Sequence, residues 1–158
     1  IPDVMGYIHG PMLIAELFRK FIVPYLKKVV TAFKSKGAKV LLHNDGQRMP
    51  IMDDLVDSGI DAIHPLERAA NMSLETMKRK YGDKLTLIGN VDSKTALQHG
   101  SLEEIKNQVL DCLKVASSGG GYILASDHSI HEGIPSNNAK FMFEVAKKYG
   151  RYPITITW

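Results

Sequence analysis

Apolar positions along the chain follow two spacings in turn. Over residues 12–36, Leu13, Leu17, Phe18, Phe21, Tyr25, Val29, Val30 and Phe33 recur with helical period. Pro24 falls inside that pattern and predicts a kink or a first turn, and Gly37 stands where a left-handed cap would close the helix. Lys39-Val40-Leu41-Leu42 is too short for a helix and reads as a buried strand. Residues 48–58 look helical and stop at Gly59, and residues 60–63 give a second strand. Ser73 opens the next helix with a partial capping box and Gly82 ends it; residues 85–88 form a third strand. Ser101-Leu102-Glu103-Glu104 is a capping box leading a helix to Ser117. The glycines 119–121 break the chain before a fourth strand at 122–125, and residues 138–149 form the last helix.

Short, continuously apolar strands separated by helices predict an α/β fold with a parallel sheet covered on both faces. Each strand runs into a polar cluster: His43-Asn44-Asp45-Gly46, His64-Pro65-Leu66-Glu67, Gly89-Asn90-Val91-Asp92 and Ser126-Asp127-His128. Chemistry at the carboxyl ends of successive strands is the pattern of a (β/α)8 barrel. A dinucleotide fold would concentrate its glycines after the first strand, and the triple glycine here precedes a strand. A full barrel takes roughly 250 residues. Four strands in 158 residues therefore predict the C-terminal half of a barrel, a single domain over 1–158 whose N-terminal half is absent. The start at Ile1 fits a piece of a larger protein.

Composition changes this picture little. With 44% hydrophobic and 23% charged residues the chain is ordinary globular material. The first 40 residues carry 7 basic and 2 acidic side chains, but without the aromatic-lined basic stripe of a nucleic-acid binder. No apolar run reaches the roughly 18–20 residues of a membrane span. The expected partners are therefore a small-molecule substrate, with no nucleic acid and no membrane. The single Cys112 fits a reducing cytoplasm and reads as core packing.

The candidate chemistry sits at the strand ends. His43 and Asp45, one residue apart, project the same way from an extended segment, and His128 holds the corresponding place on the last strand. Two imidazoles and a carboxylate suit a divalent metal such as zinc with an open position, or metal-free proton transfer, or plain hydrogen bonding to loops. Asn90 and Asp92 follow the third strand; they anchor substrate, or Asp92 caps the next helix. Glu67 is a further pocket candidate. His64, His99 and His131 read as loop or surface residues, His131 being close enough to His128 to substitute as a ligand.

Four segments in order resemble the C-terminal half of the uroporphyrinogen decarboxylase superfamily. They are Gly10-Pro11 through Glu16, Phe21 and Pro24-Tyr25; Val40 through His43-Asn44-Asp45-Gly46; Ile88-Gly89-Asn90-Val91-Asp92; and Gly121 through His128, with Gly133, Pro135 and Asn138. Asp3 with Val4 resembles a family Asp-Asp-x-Gly segment in which Val4 replaces the second acid. The resemblance implies a (β/α)8 barrel with one of two chemistries. True decarboxylases work without metal or cofactor and remove acetate carboxyls from a tetrapyrrole, with His128 as the matching polar anchor. Methyltransferase-like members are corrinoid-linked and hold zinc through His-x-Cys and a later Cys. His43 matches the first of those ligands, Asp45 replaces the first Cys, and His128 falls near the second. The expectation closest to these residues is a zinc-dependent, methyltransferase-like enzyme, with His43, Asp45 and His128 as metal-binding and catalytic residues. Glu67, Asn90 and Asp92 would shape its substrate pocket and a corrinoid protein would be its partner. Half a barrel leaves sheet edges and an apolar interior uncovered, so a homodimer or assembly with the missing half is also expected, and the fragment alone need not be active.

Overall fold

The computed structural model describes residues 1–3 and 5–154, with Pro2 and Asp3 described through their backbone. Val4, and with it the proposed replacement of an acidic residue, lies outside the described residues.

Five parallel strands form one sheet: β1 (Pro2–Asp3), β4 (Leu41–Asn44), β5 (Ala62–His64), β6 (Thr86–Val91) and β7 (Tyr122–Ser126). The four apolar runs are all strands, and the two-residue β1 adds an edge too short for periodicity to show. Between β1 and β4 the chain makes a small antiparallel pair, β2 (Gly6–Tyr7) and β3 (Gly10–Pro11). It then runs through α1 (Ala15–Phe21) and α2 (Val23–Lys34). The single helix expected over 12–36 is thus two, broken at Ile22. Pro24 occupies the first turn of α2, where a missing N–H costs nothing.

Helix α3 (Met52–Asp57) follows a 3-10 turn at Met49–Ile51, and α4 (Leu74–Tyr81) follows β5. The Ser73 side chain accepts from the Thr76 N–H, a cap without its reciprocal half. After β6 come the short α5 (Ala96–His99) and α6 (Leu102–Ala116), the latter opened by a complete Ser101–Glu104 capping box. The last helix, α7 (Ser136–Tyr149), packs on α6.

Strand order in the sheet follows chain order, β1-β4-β5-β6-β7, without reversal. A doubly wound sheet changes direction at a switch point; this one winds one way, as a (β/α) barrel does. One hydrophobic core joins Leu42, Ile63, Leu87 and Val91 on the strands to Leu55, Met77, Ile105 and Val109 on the helices. Each fully buried side chain of this kind contributes about 1.5–3 kcal/mol.

The other face of the sheet is open. Leu41 on β4 is 40% exposed and Ile123 on β7 is 52% exposed. Of the apolar residues on α1 and α2, Phe18, Leu26 and Val30 are buried, whereas Leu17, Phe21, Tyr25, Val29 and Phe33 stay exposed in a second stripe. Among the described residues no helix is long and apolar enough to cross a membrane.

Candidate functional site

The polar clusters meet at the carboxyl ends of the parallel strands. Strand β4 delivers His43 and, just beyond its end, Asp45; the alternating burial of Leu41–Asn44 turns Leu42 and Asn44 to the core and His43 to the open face. Asp45 Oδ1 lies 3.9 Å from His43 Nε2 and 3.8 Å from His128 Nε2. The three side chains are each between 30% and 42% exposed. Among the described residues that carboxylate oxygen is buried and has no hydrogen-bond partner.

His43 has a partner that the sequence did not reveal. The β4–β5 register pairs His43 with His64, and their Nδ1 atoms stand 2.8 Å apart. His64 is therefore a strand residue against the site rather than a loop residue. Burial, then the His43 charge, lowers its pKa below the usual imidazole value.

Beneath the trio lies a buried charge network. Arg48 is fully buried and donates through Nη2 to the Pro65 carbonyl, while its Nε and Nη1 find no partner among the described residues. Burial pulls its pKa down to about 10 despite the opposing carboxylates of Asp45 and Glu67. Charged residues rarely go wholly inside, so periodicity gave no hint of Arg48. Glu67, 5% exposed, accepts from the Gly46 N–H (3.2 Å) and from Lys94 Nζ (2.7 Å), joining three strand ends. That salt bridge holds the Lys94 pKa above the ordinary lysine value.

The remaining candidates support loops. Asn90 lies inside β6, not after it, and its Nδ2 donates to the carbonyls of Leu66 (2.6 Å) and Met72 (3.2 Å). Asp92 Oδ1 accepts from the backbone N–H groups of Lys94 and Thr95, both at 2.8 Å, as a cap does. Asp127, 2% exposed, accepts from the N–H groups of Ser93 (2.8 Å) and Arg68 (3.1 Å), fixing the backbone next to His128. The Ser126 hydroxyl donates to the His128 carbonyl at 2.6 Å. His99 and His131 are exposed, and Cys112 is core, its thiol pushed up by burial. A cavity of about 740 Å³ lies between Arg68, Asn90 and Cys112, and its lining includes none of His43, Asp45 or His128.

Comparison with known proteins decides the family. Residues 3–149 match the family described as "Uroporphyrinogen decarboxylase (URO-D)". The chain belongs to the uroporphyrinogen decarboxylase family. Relatives include the uroporphyrinogen decarboxylase of Actinobacillus succinogenes, 24% identical over 90% of this chain and 40% of that protein. The chloroplastic enzyme of Nicotiana tabacum is 31% identical over 82% of this chain and 32% of its own length. The chain thus spans about two fifths or less of the curated relatives it matches. A solved structure described as "methyltransferase from Methanosarcina mazei" superposes with a TM-score of 0.77 at 24% identity, covering 96% of this chain and 42% of that one. That likeness carries the fold, a partial (β/α)8 barrel.

Zinc in tetrahedral sites sits about 2.0–2.2 Å from nitrogen and oxygen donors, which places neighbouring donors about 3.4 Å apart. Asp45 Oδ1 and the two Nε2 atoms are wider than this by about half an ångström. Among the described residues no group of three or more His, Cys, Asp or Glu side chains is already drawn together to hold a metal ion. The donor types and the partnerless oxygen between two imidazoles suit zinc; the spacing requires the side chains to close around it.

Proposed function

We propose that the chain is the C-terminal half of a zinc-dependent, methyltransferase-like enzyme of this family, with His43, Asp45 and His128 as metal-binding and catalytic residues. The observation that carries this reading is Asp45 Oδ1, buried without a hydrogen-bond partner and faced by two imidazole Nε2 atoms at 3.9 and 3.8 Å. Zinc held there would act as a Lewis acid, easing loss of the acceptor's proton or polarising the donor.

The chain's own residues supply orientation. Glu67 and Asn90 tie the loops after β4, β5 and β6 together, Asp92 shapes the turn beyond β6, and Asp127 fixes the approach of His128. In the transfer, an acceptor X–H releases its proton to solvent as the X–CH3 bond forms. The donor's bond to the methyl carbon breaks with its electron pair staying on the donor. A corrinoid protein is the proposed donor partner, in a cytoplasmic setting. Equilibrium dialysis tests the metal: the expected result is one zinc per chain, lost in His43→Ala and in His128→Ala. Wild-type protein without stoichiometric zinc overturns the reading.

A second reading is metal-free decarboxylation of a tetrapyrrole, favoured by the names of the curated relatives. Here half-exposed His128 serves as polar anchor and proton donor. Conversion of uroporphyrinogen to coproporphyrinogen by metal-free protein supports it, and no turnover with the barrel completed counts against it. Both readings need that completion. The exposed stripe from Leu17 to Phe33 and the open sheet face at Leu41 and Ile123 support a homodimer or assembly with a second half-barrel. Size-exclusion chromatography tests this, a monomeric elution at 17.5 kDa counting against it.

A further inference from the structure

The Glu67 carboxylate divides its two oxygens between two strand ends. Oε2 accepts from the Gly46 N–H at 3.2 Å, just beyond β4, and Oε1 receives Lys94 Nζ at 2.7 Å, just beyond β6. The Glu67 side chain is 6% exposed and that of Lys94 49%, so a half-solvated ammonium reaches in to a dry carboxylate. Lys94 is also fixed at its backbone, where its N–H donates to Asp92 Oδ1 at 2.8 Å.

Gly46 carries this link to Asp45. The Gly46 N–H and the Asp45 carbonyl belong to one rigid peptide plane, so a carboxylate that fixes the N–H direction also fixes ψ of Asp45. The Asp45 side chain leaves the same Cα toward the imidazoles of His43 and His128, at 3.9 and 3.8 Å. Glu67 has a rival partner close by. The Arg48 guanidinium is bonded through Nη2 to the carbonyl of Pro65, two residues before Glu67, and Arg48 follows Gly46 by two residues. It is therefore lodged between the two stretches that Glu67 bridges. Nε and Nη1 of this wholly buried side chain have no hydrogen-bond partner among the described residues. An arginine fork on a carboxylate is among the strong hydrogen bonds of proteins.

We propose that Lys94 is a positioning residue for Asp45: it holds Glu67 on the Gly46 N–H and off the Arg48 guanidinium. Without the ammonium, Glu67 turns onto the unpartnered N–H groups of Arg48, the Gly46 bond opens and the Asp45–Gly46 peptide is released. That exchange replaces one set of buried bonds with another, so the fold keeps its stability while Asp45 loses its orientation. A lysine that only braced the loops would lose both together. The assignment gains its importance from the proposed role of Asp45, but its test without metal is independent of that role.

The experiment is amide hydrogen exchange of the full chain, followed by NMR without added metal, beside urea unfolding. In Lys94→Met the Gly46 amide is expected to exchange at least about 10-fold faster than in wild type, the loss of one hydrogen bond to a charged acceptor. The amides of β5 and β6 and the urea midpoint stay as they were. Lys94→Arg keeps a cation on Glu67 and restores the slow exchange. Adding Arg48→Met to Lys94→Met removes the rival, so Glu67 returns to Gly46 and the slow exchange returns with it. Zinc affinity falls by about 10–100-fold in Lys94→Met and by less in Lys94→Arg. An unchanged Gly46 amide in Lys94→Met overturns the proposal. So does a lowered urea midpoint with faster exchange across the whole sheet, which marks a structural role alone. If the double variant does not fold, the two single variants at Lys94 decide. Faster Gly46 exchange in Lys94→Met, in a protein that takes up no zinc, would refute the zinc reading and leave this assignment standing.

Discussion

Asp45 Oδ1 lies 3.8 Å from His128 Nε2, a contact between the end of β4 and the loop after β7. No strand pairing joins β4 to β7, since β5 and β6 lie between them. The contact therefore depends on the curvature of the sheet and on the Asp127 and Ser126 bonds that hold the β7 loop. Asp45→Asn preserves shape and removes the charge. Zinc affinity measured by calorimetry is expected to fall by about 100-fold or more, beyond the 10–100-fold typical of a supporting residue. An unchanged affinity removes Asp45 from the ligand set.

Glu67 is the electrostatic keystone under that contact. It compensates buried Arg48 and receives Lys94 at 2.7 Å. Removing one member of a buried charge group leaves the others uncompensated, at a cost of about 3–5 kcal/mol. Glu67→Leu should lose that much in urea unfolding. Arg48→Met retains volume and leaves Glu67 its Lys94 counter-charge but orphans the Pro65 carbonyl, so it should cost about 1–3 kcal/mol. A loss in Arg48→Met equal to or above that in Glu67→Leu would contradict this ranking.

The fold was legible where local physics sets the answer. The Ser101–Glu104 box and Pro24 in the first turn of α2 are decided within a few residues, and the structure reproduces them. The alternate spacing that turns His43 and Asp45 to one side was equally local. What sequence missed depends on neighbours far along the chain. His64 gains its role through the register with β4, and Arg48 is buried only because Glu67 and Asp45 come to meet it. Asn90 falls beyond the strand that the apolar run at 85–88 predicts, because that run ends at Gly89. Pairing with Leu124 and Ala125 on β7 carries the strand through both, despite φ values of 126° and 138°. The apolar stripe on α1 and α2 shows the converse: helical period identified the residues but not what covers them.

Tyr81 supplies a pH signature. Its hydroxyl donates to Asp53 Oδ1 at 2.9 Å, and burial, then that bond, push its pKa up to about 12. The folded state thus holds a proton that the unfolded chain releases near pH 10. Its stabilisation is complete below about pH 10 and is lost as pH rises toward about 12. Comparing urea midpoints at about pH 9 and pH 11, wild type should lose more stability than Tyr81→Phe. Equal losses would show that Tyr81 titrates normally in the folded state.

Gly46 couples the site to the β2–β3 pair. Its φ of +80° lies in the left-handed region, and an added Cβ would meet the Gly6 carbonyl carbon at 2.5 Å, the Gly6 oxygen at 2.6 Å and the Tyr7 oxygen at 2.7 Å. All three are backbone atoms, so no side chain can move aside. A non-glycine residue in that conformation costs about 1–3 kcal/mol, and the overlap adds to it. Gly46→Ala must either displace the segment at Gly6–Tyr7 or swing the Asp45–Gly46 peptide. The second motion breaks the Gly46 N–H bond to Glu67 and moves Asp45 away from the imidazoles. The expected result is a loss of at least about 2 kcal/mol in urea unfolding together with weakened zinc binding. A Gly46→Ala protein with wild-type stability and wild-type zinc affinity would show that the Gly46 turn is not what sets Asp45.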